Sequence, residues 1–320
     1  VTSGFLDPAI LFFVFGMAAG LIRSNLEIPP AIARFLSLYL LMALGLKGGF
    51  ALADSGLTAE VALSLGAAIT LAFVIPLAGY ALLRRIVSPY DAAALAATYG
   101  SVSAVTFITA VQYLDSRGLA FGGHMAAAMA LMESPAIIVA VLMANIARRK
   151  DGGAASSTPL PKILHESLTD GAQLLLLGAM VVGLITGDAG EAAMKPFSVD
   201  LFKGMLAFFL LDMGLMAARN MGQLAGRSLW LAVYALAAPL AHAMLALGLG
   251  ALLGLSPGNT TLLMVLAASA SYIAVPAVVR HAIPEASPSL YFGMSLGLTF
   301  PFNILVGIPA YSALAHRLLG

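Results

Sequence analysis

The sequence predicts an all-α, polytopic membrane protein: ten transmembrane helices in two inverted five-helix repeats, with helices 4 and 9 broken. Three observations carry that prediction. Of the 320 residues, 61% are hydrophobic and only 10% charged, with a mean hydropathy of +0.97. Soluble domains carry about 25% charged residues, and no soluble core could bury this much apolar surface. Next, the apolar residues fall into ten stretches near the ~20 residues that a bilayer-crossing helix needs. Finally, a set of short motifs recurs in the same order in the two halves.

Taken in order, the spans cover roughly 6–23, 30–53, 58–84, 89–114, 118–147, 167–187, 198–219, 226–253, 257–281 and 287–316. The first stretch, Pro8 to Ile22, lacks the basic leader of a signal peptide, so it reads as a span. Glu27-Ile28-Pro29-Pro30 separates it from the second span. Lys47, late in that second span, is expected to snorkel to the outer interface. Pro76 and Pro239 are expected to kink spans 3 and 8. Ser88-Pro89 opens span 4, which holds Gly100-Ser101-Val102-Ser103 at mid-depth, and span 5 carries Glu133-Ser134-Pro135. The one longer polar link, Arg148 to Lys162, holds Gly152-Gly153 and Ser156-Ser157. It divides the chain into a first repeat (1–150), a linker (151–165) and a second repeat (166–320). Span 7 contains Asp212 and span 8 His242. Ser256-Pro257 opens span 9, which holds Ala268-Ser269-Ala270-Ser271, and span 10 carries Thr299, Pro301 and Asn303.

The halves match in detail. Met17-Ala18-Ala19-Gly20-Leu21-Ile22 pairs with Met180-Val181-Val182-Gly183-Leu184-Ile185. Gly45-Leu46 pairs with Gly214-Leu215, Pro76-Leu77-Ala78 with Pro239-Leu240-Ala241, and Pro135 with Pro301. The serine runs pair at Ser101 and Ser269. Composition supplies one such match; it does not supply five in one order. Because five is odd, the second block enters from the opposite side, which makes the repeat inverted. With the central link in the cytoplasm, Arg23, Arg34, Arg84, Arg85, Arg148, Arg149, Lys150, Lys162, Arg219, Arg227 and Arg280 fall on that side. Only Lys47, Arg117, Lys195, Lys203 and Arg317 fall on the other. This bias puts both termini outside.

Two hydrophobic spans interrupted at corresponding places mark a transporter's binding site. Ser and Gly are poor helix formers in helix interiors, and a serine hydroxyl caps a restarted helix. Each resumed half-helix aims free N–H groups and a positive dipole end at mid-membrane. Inversion brings the two ends together, with Ser101, Ser103, Ser269 and Ser271 adding hydroxyls: a site for a small anion without a buried arginine. The preceding half-helices end there too and offer carbonyls to a hard cation such as sodium. The competing reading is close packing of small residues, and recurrence at matched positions favours the site. Glu133 and Asp212 are carboxylates at membrane depth, which by default mark an ion path. Thr299, the counterpart of Glu133, and Asn303 are neutral oxygen ligands for sodium. The competing role for each carboxylate is a hydrogen bond to a neighbouring helix.

Other classes of function are excluded or weakened. There is no cysteine, so disulfides, thiol catalysis and cysteine metal sites are absent. A net charge of +1 calls for no nucleic-acid partner. His124, His165, His242, His281 and His316 show no metal-ligand spacing, and no phosphate loop, nucleophile–base pair or cofactor motif points to an enzyme. Asp115, Arg117 and Asp188 read as solvated loop charges, and Arg148-Arg149-Lys150 as a topology signal.

Three runs carry a resemblance: Tyr99-Gly100-Ser101-Val102-Ser103-Ala104-Val105-Thr106-Phe107, Met132-Glu133-Ser134-Pro135-Ala136 and Ala268-Ser269-Ala270-Ser271-Tyr272-Ile273-Ala274-Val275-Pro276. With Phe300-Pro301-Phe302-Asn303, they resemble the sodium-dependent bicarbonate transporter family, best known from high-affinity importers of cyanobacterial inner membranes. Over nearly the whole chain, the resemblance implies sodium–bicarbonate symport and no cofactor beyond the coupling ion. It also implies a homotrimer in the inner membrane and an elevator in which a core domain moves against a gate domain, each drawn from both repeats. Bicarbonate is then expected at Gly100, Ser101, Val102, Ser103, Ser269, Ala270, Ser271 and Tyr272. Sodium is expected at Thr106, Glu133, Asn303, Ser101 and Ser269, with Asp212 as a possible coupling carboxylate. A cytoplasmic PII-like protein is an implied partner, although the central link here is shorter than in the better-known importers. The alternatives are a sodium/proton antiporter, a sodium symporter of another small anion, and a non-transporting receptor or scaffold for the PII-like protein.

Overall fold

The computed structural model describes residues 7–150, 165, 169–224 and 228–320. Most of the central link, including Gly152-Gly153, Ser156-Ser157 and Lys162, lies outside the described residues, as does Arg227. Every regular element among the described residues is helical. The first half holds α1 (Pro8–Leu21), α2 (Pro30–Ser55), α3 (Ala59–Leu83), α4 (Pro89–Gly100), α5 (Ala104–Asp115) and α6 (Met125–Lys150). The second half holds α7 (Gly171–Lys195), α8 (Phe202–Met221), α9 (Leu229–Leu253), α10 (Pro257–Ala268), α11 (Ala274–Ala282) and α12 (Pro288–Leu319).

Local chemistry sets these bounds. Asp7 accepts a hydrogen bond from the Ala9 N–H at 2.8 Å, and the Ser88 hydroxyl accepts from Asp91 N–H at 3.0 Å. Asp170 accepts from the N–H groups of Ala172 and Gln173. Each cap satisfies donors that a helix start leaves open. Pro76, Pro135 and Pro239 all lie within continuous helices.

Seven helical runs among the described residues are long and apolar enough to cross a membrane, by length and composition. They are α2, α3, the joined α4–α5, α6, Gly171–Met221, α9 and α12. The chain is thus a multi-pass membrane protein. The expected spans 6 and 7 are not parted by a polar loop. They form one run of 51 residues, with a π-helical turn at Pro196–Asp200. The chain changes direction at Gly187, whose φ of 51° and ψ of −142° suit a residue without Cβ. Asp188 therefore sits on a helix and not in a loop.

Packing crosses the two halves. α1 lies along α8, and α2 lies along α7. A Cβ on Gly20 would come 3.1 Å from the Leu215 carbonyl oxygen, and one on Gly183 2.6 Å from that of Leu46. The two contacts are counterparts of each other, since Gly20 pairs with Gly183 and Leu215 with Leu46 in sequence, and they let backbones touch where side chains would hold them apart. Elsewhere, α3 packs on α4 and α6 while α9 packs on α10, and α10 packs on α12. The joined α4–α5 span is 94% buried over its most apolar window, the most enclosed of the seven. Irregular backbone at membrane depth is tolerated only inside such a protein environment.

Loops tie the halves as well. Asp91 accepts from Ser287 N–H at 2.8 Å, and Asn259, the matching residue of α10, accepts from Gly122 N–H at 2.6 Å. Arg148, only 7% exposed, grips both oxygens of Glu285 at 2.8 and 2.7 Å. It also donates to Asn145 and to the Ala282 carbonyl that ends α11. The expected topology signal at Arg148 is thus a structural knot too.

Candidate functional site

The first break runs from Gly100 to Ser103. At Gly100 the helix meets the Pro76 ring so closely that a Cβ would sit 2.7 Å from it. Ser101 is extended (φ −90°, ψ −174°), and α5 restarts with Ser103 as its N-cap. The Ser103 hydroxyl accepts from the Thr106 N–H at 3.2 Å and pairs with the Thr106 hydroxyl at 3.0 Å. The second break is built differently. Ser269 is extended, and its hydroxyl donates to the Leu266 carbonyl at 2.9 Å. Ser271 reaches forward to accept from Val275 N–H at 3.3 Å.

The breaks are stitched to each other. Ser103 N–H donates to the Ser269 hydroxyl at 3.0 Å, and Ser271 N–H donates to the Thr98 carbonyl at 2.8 Å. On one side of this seam lies a cavity of about 140 Å³. Val102, Ser103, Ala104 and Val105 line it from the first break, and Ser271, Tyr272, Ile273 and Ala274 from the second. The positive N-terminal ends of α5 and α11 therefore open onto one space. Glu133 of α6 lines it too, together with Ser37 and Leu41 of α2 and Asp170 and Gln173 at the start of α7.

Several expected site residues are not on this cavity. Gly100, Ser101, Ser269 and Ala270 lie behind it, so two of the four serine hydroxyls border it and two do not. The reason is the stitching: Ser269 spends its hydroxyl on the other break. Ser101 Oγ is 1% exposed and has no protein partner. A buried hydroxyl left so costs about 1–3 kcal/mol. Thr106 backs Ser103. Asn303 donates to the Ala268 carbonyl at 2.8 Å and accepts from the Tyr311 hydroxyl at 3.1 Å, so it braces the end of α10. The Thr299 hydroxyl donates to the Ala235 carbonyl at 2.7 Å and pairs with Tyr99 at 2.7 Å. Asp212 is buried in α8 and does not line the cavity; it adjoins Met213, whose sulfur accepts from the cavity-lining Tyr272.

Sequence reasoning missed Gln173. Its amide donates to the Ala130 carbonyl at 3.2 Å and to Glu133 Oε2. The available signal was an amide three residues past the Asp170 cap, at the head of an apolar span. It also missed the π-helical turns Ser295–Thr299 and Asn303–Gly307 within α12. A second cavity, about 1070 Å³, lies at the opposite end of α5. Phe107 and Val111 wall it, and none of the eight serine-run residues borders it. Lys47 lines it, pairs with Asp115 at 3.2 Å and stacks over Phe202, so it is held in place and does not snorkel freely. Asp115 and Arg117 are likewise engaged, the latter over the Tyr113 ring.

A family model described as the Na+-dependent bicarbonate transporter superfamily matches residues 8–316. No curated protein matches the chain significantly.

Proposed function

The chain belongs to the Na+-dependent bicarbonate transporter superfamily, a family of transporters and not of enzymes, and from that premise we propose that it imports bicarbonate by symport with sodium. The observation that carries this reading is the pair of helix N-termini, α5 and α11, on one cavity with Glu133. Bicarbonate is small, planar and singly charged. N–H groups of the two helix starts, with the hydroxyls of Ser103, Ser271 and Tyr272, suit it. Sodium suits the Glu133 carboxylate, the unpartnered Ser101 hydroxyl and nearby carbonyls at the ends of α4 and α10. Co-binding cancels charge, and the sodium gradient drives the anion inward.

The reading includes ten spans in two inverted repeats. The crossed pairs α1–α8 and α2–α7, their reciprocal glycine contacts and the matched Asp91 and Asn259 ties support that layout. In an elevator cycle, α1, α2, α7 and α8 form the gate, and the remaining helices form the core that slides against it. Placing the central link in the cytoplasm of a cell whose inner membrane holds the protein makes the smaller cavity inward-facing. Trimeric assembly and a PII-like cytoplasmic partner belong to the same proposal on the resemblance alone. Asp212, which does not line the cavity, is given no part in binding here.

The test is uptake of labelled bicarbonate by proteoliposomes with and without an inward sodium gradient. Uptake that rises at least tenfold with the gradient is expected. Flux indifferent to sodium removes the coupling, and sodium flux balanced by proton export without bicarbonate turns the reading to antiport.

A further inference from the structure

We propose that Gln173 is a latch between core and gate: it ties the core carboxylate Glu133 to the gate and competes with sodium for that carboxylate. The inference rests on the transport reading above and adds a residue to it. Gln173 is 6% exposed, on the third residue of α7. Its Nε2 carries two hydrogens, and both are spent on α6: one on the Ala130 carbonyl at 3.2 Å, the other on Glu133 Oε2. α6 packs mainly with α3 and α4, whereas α7 packs along α2. These two bonds therefore cross the surface along which the proposed motion occurs, and no slide leaves them intact.

Competition follows from the charges. The amide turns a positive N–H toward the carboxylate. A cation on that carboxylate repels this N–H and takes the electron density it used. Sodium arriving at Glu133 loosens the latch, while an empty site lets it close. The latch closes as sodium leaves, which helps to release it on the inward side; the empty core still returns, at the cost of breaking these two hydrogen bonds.

The latch is one-sided. Across the repeat, Glu133 corresponds to Thr299, and Gln173 corresponds to Ile10, in the register that pairs Met17 with Met180. Thr299 is satisfied by Ala235 and Tyr99, and Ile10 has no donor to offer. The opposite end of the slide has no such tie at the matching positions. Gln173 thus favours the arrangement in which the serine cavity opens toward the central link.

The decisive comparison is sodium binding to the purified full-length protein by calorimetry, alongside sodium-dependent bicarbonate uptake. Gln173→Met keeps the volume and removes both donors. It is expected to tighten sodium binding about tenfold and to raise sodium-independent bicarbonate leak. Gln173→Asn, one methylene shorter, is expected to fall between and covers the case in which the Met variant does not fold. Unchanged or weaker sodium binding in either folded variant overturns the latch, even where the wild type transports. If the wild type binds no sodium, the transport reading and the latch fall together.

Discussion

The two helix breaks occupy matching places and solve the same problem with different parts. At the first, Ser103 is itself the N-cap of α5 and Thr106 supports it. At the second, Ile273 holds the cap position, and Ser271 reaches forward to Val275. The larger difference lies beside them. Glu133 of α6 lines the cavity the breaks share and is tied to α7 by Gln173. The second break is braced by Asn303, which donates to the Ala268 carbonyl, while Thr299 ties Tyr99 of α4 to the Ala235 carbonyl of α9. Two positive helix ends meet at the cavity, while Glu133 corresponds in sequence register to the neutral Thr299. In the proposed cycle the likeness of the two helix ends serves the anion, and the difference at Glu133 serves the cation.

Substitutions that treat the breaks as equivalent should show that they are not. The largest contrast is Glu133→Gln against Thr299→Val. The first should lower sodium-dependent bicarbonate uptake at least a hundredfold, the second by roughly tenfold or less with a loss of thermal stability. Equal losses in labelled-bicarbonate uptake would mean that the charge is not the cation's ligand. Next come Ser103→Ala and Ser271→Ala. Both should cut uptake more than tenfold, because both hydroxyls border the cavity. Only Ser103→Ala removes the cap residue itself, worth about 1 kcal/mol, so it should unfold earlier in detergent. Normal uptake in both variants, at normal expression, would dissolve the anion site.

The smallest effect lies at the Arg148–Glu285 knot, away from either break. Hydrogen bonding from Arg148 holds the Glu285 carboxyl below its usual range. A depressed carboxylate pKa stabilises the fold above the unfolded value, near 4.3, and that contribution vanishes as pH falls through the folded value. Melting temperatures of wild type and Glu285→Gln should differ by a few degrees at pH 7 and converge as the pH falls below about 4. A gap that persists in acid would assign the effect to packing.

The positions of the breaks were legible because Gly100-Ser101 and Ser269-Ala270-Ser271 combine poor helix formers with capping side chains. Close crossing was legible in part, from glycines at matched registers such as Gly20 and Gly183. Which hydroxyls face the cavity was not legible. That depends on cross-break bonds such as Ser103 to Ser269, which no local pattern encodes. Hydropathy did not reveal the continuity of Gly171–Met221, since a turn at one glycine leaves the flanking residues helical. Lys47 read as a snorkelling end because its partner, Asp115, arrives from another span. Gln173 was overlooked for the same reason: a lone amide acquires meaning only from Glu133, 40 residues earlier.

The stitch between the breaks also constrains how the protein is made. Ser103 and Ser269 are 166 residues apart, so the first broken helix enters the bilayer long before its partner has been synthesised. Until then its extended backbone has neither water nor protein to satisfy it, a costly state in lipid. Half-helices of 12 and nine residues are also too short to be stable alone. The seam between the breaks therefore closes only when α10 and α11 arrive, and a chain truncated before Ser269 should be handled by the cell as an unfinished membrane protein.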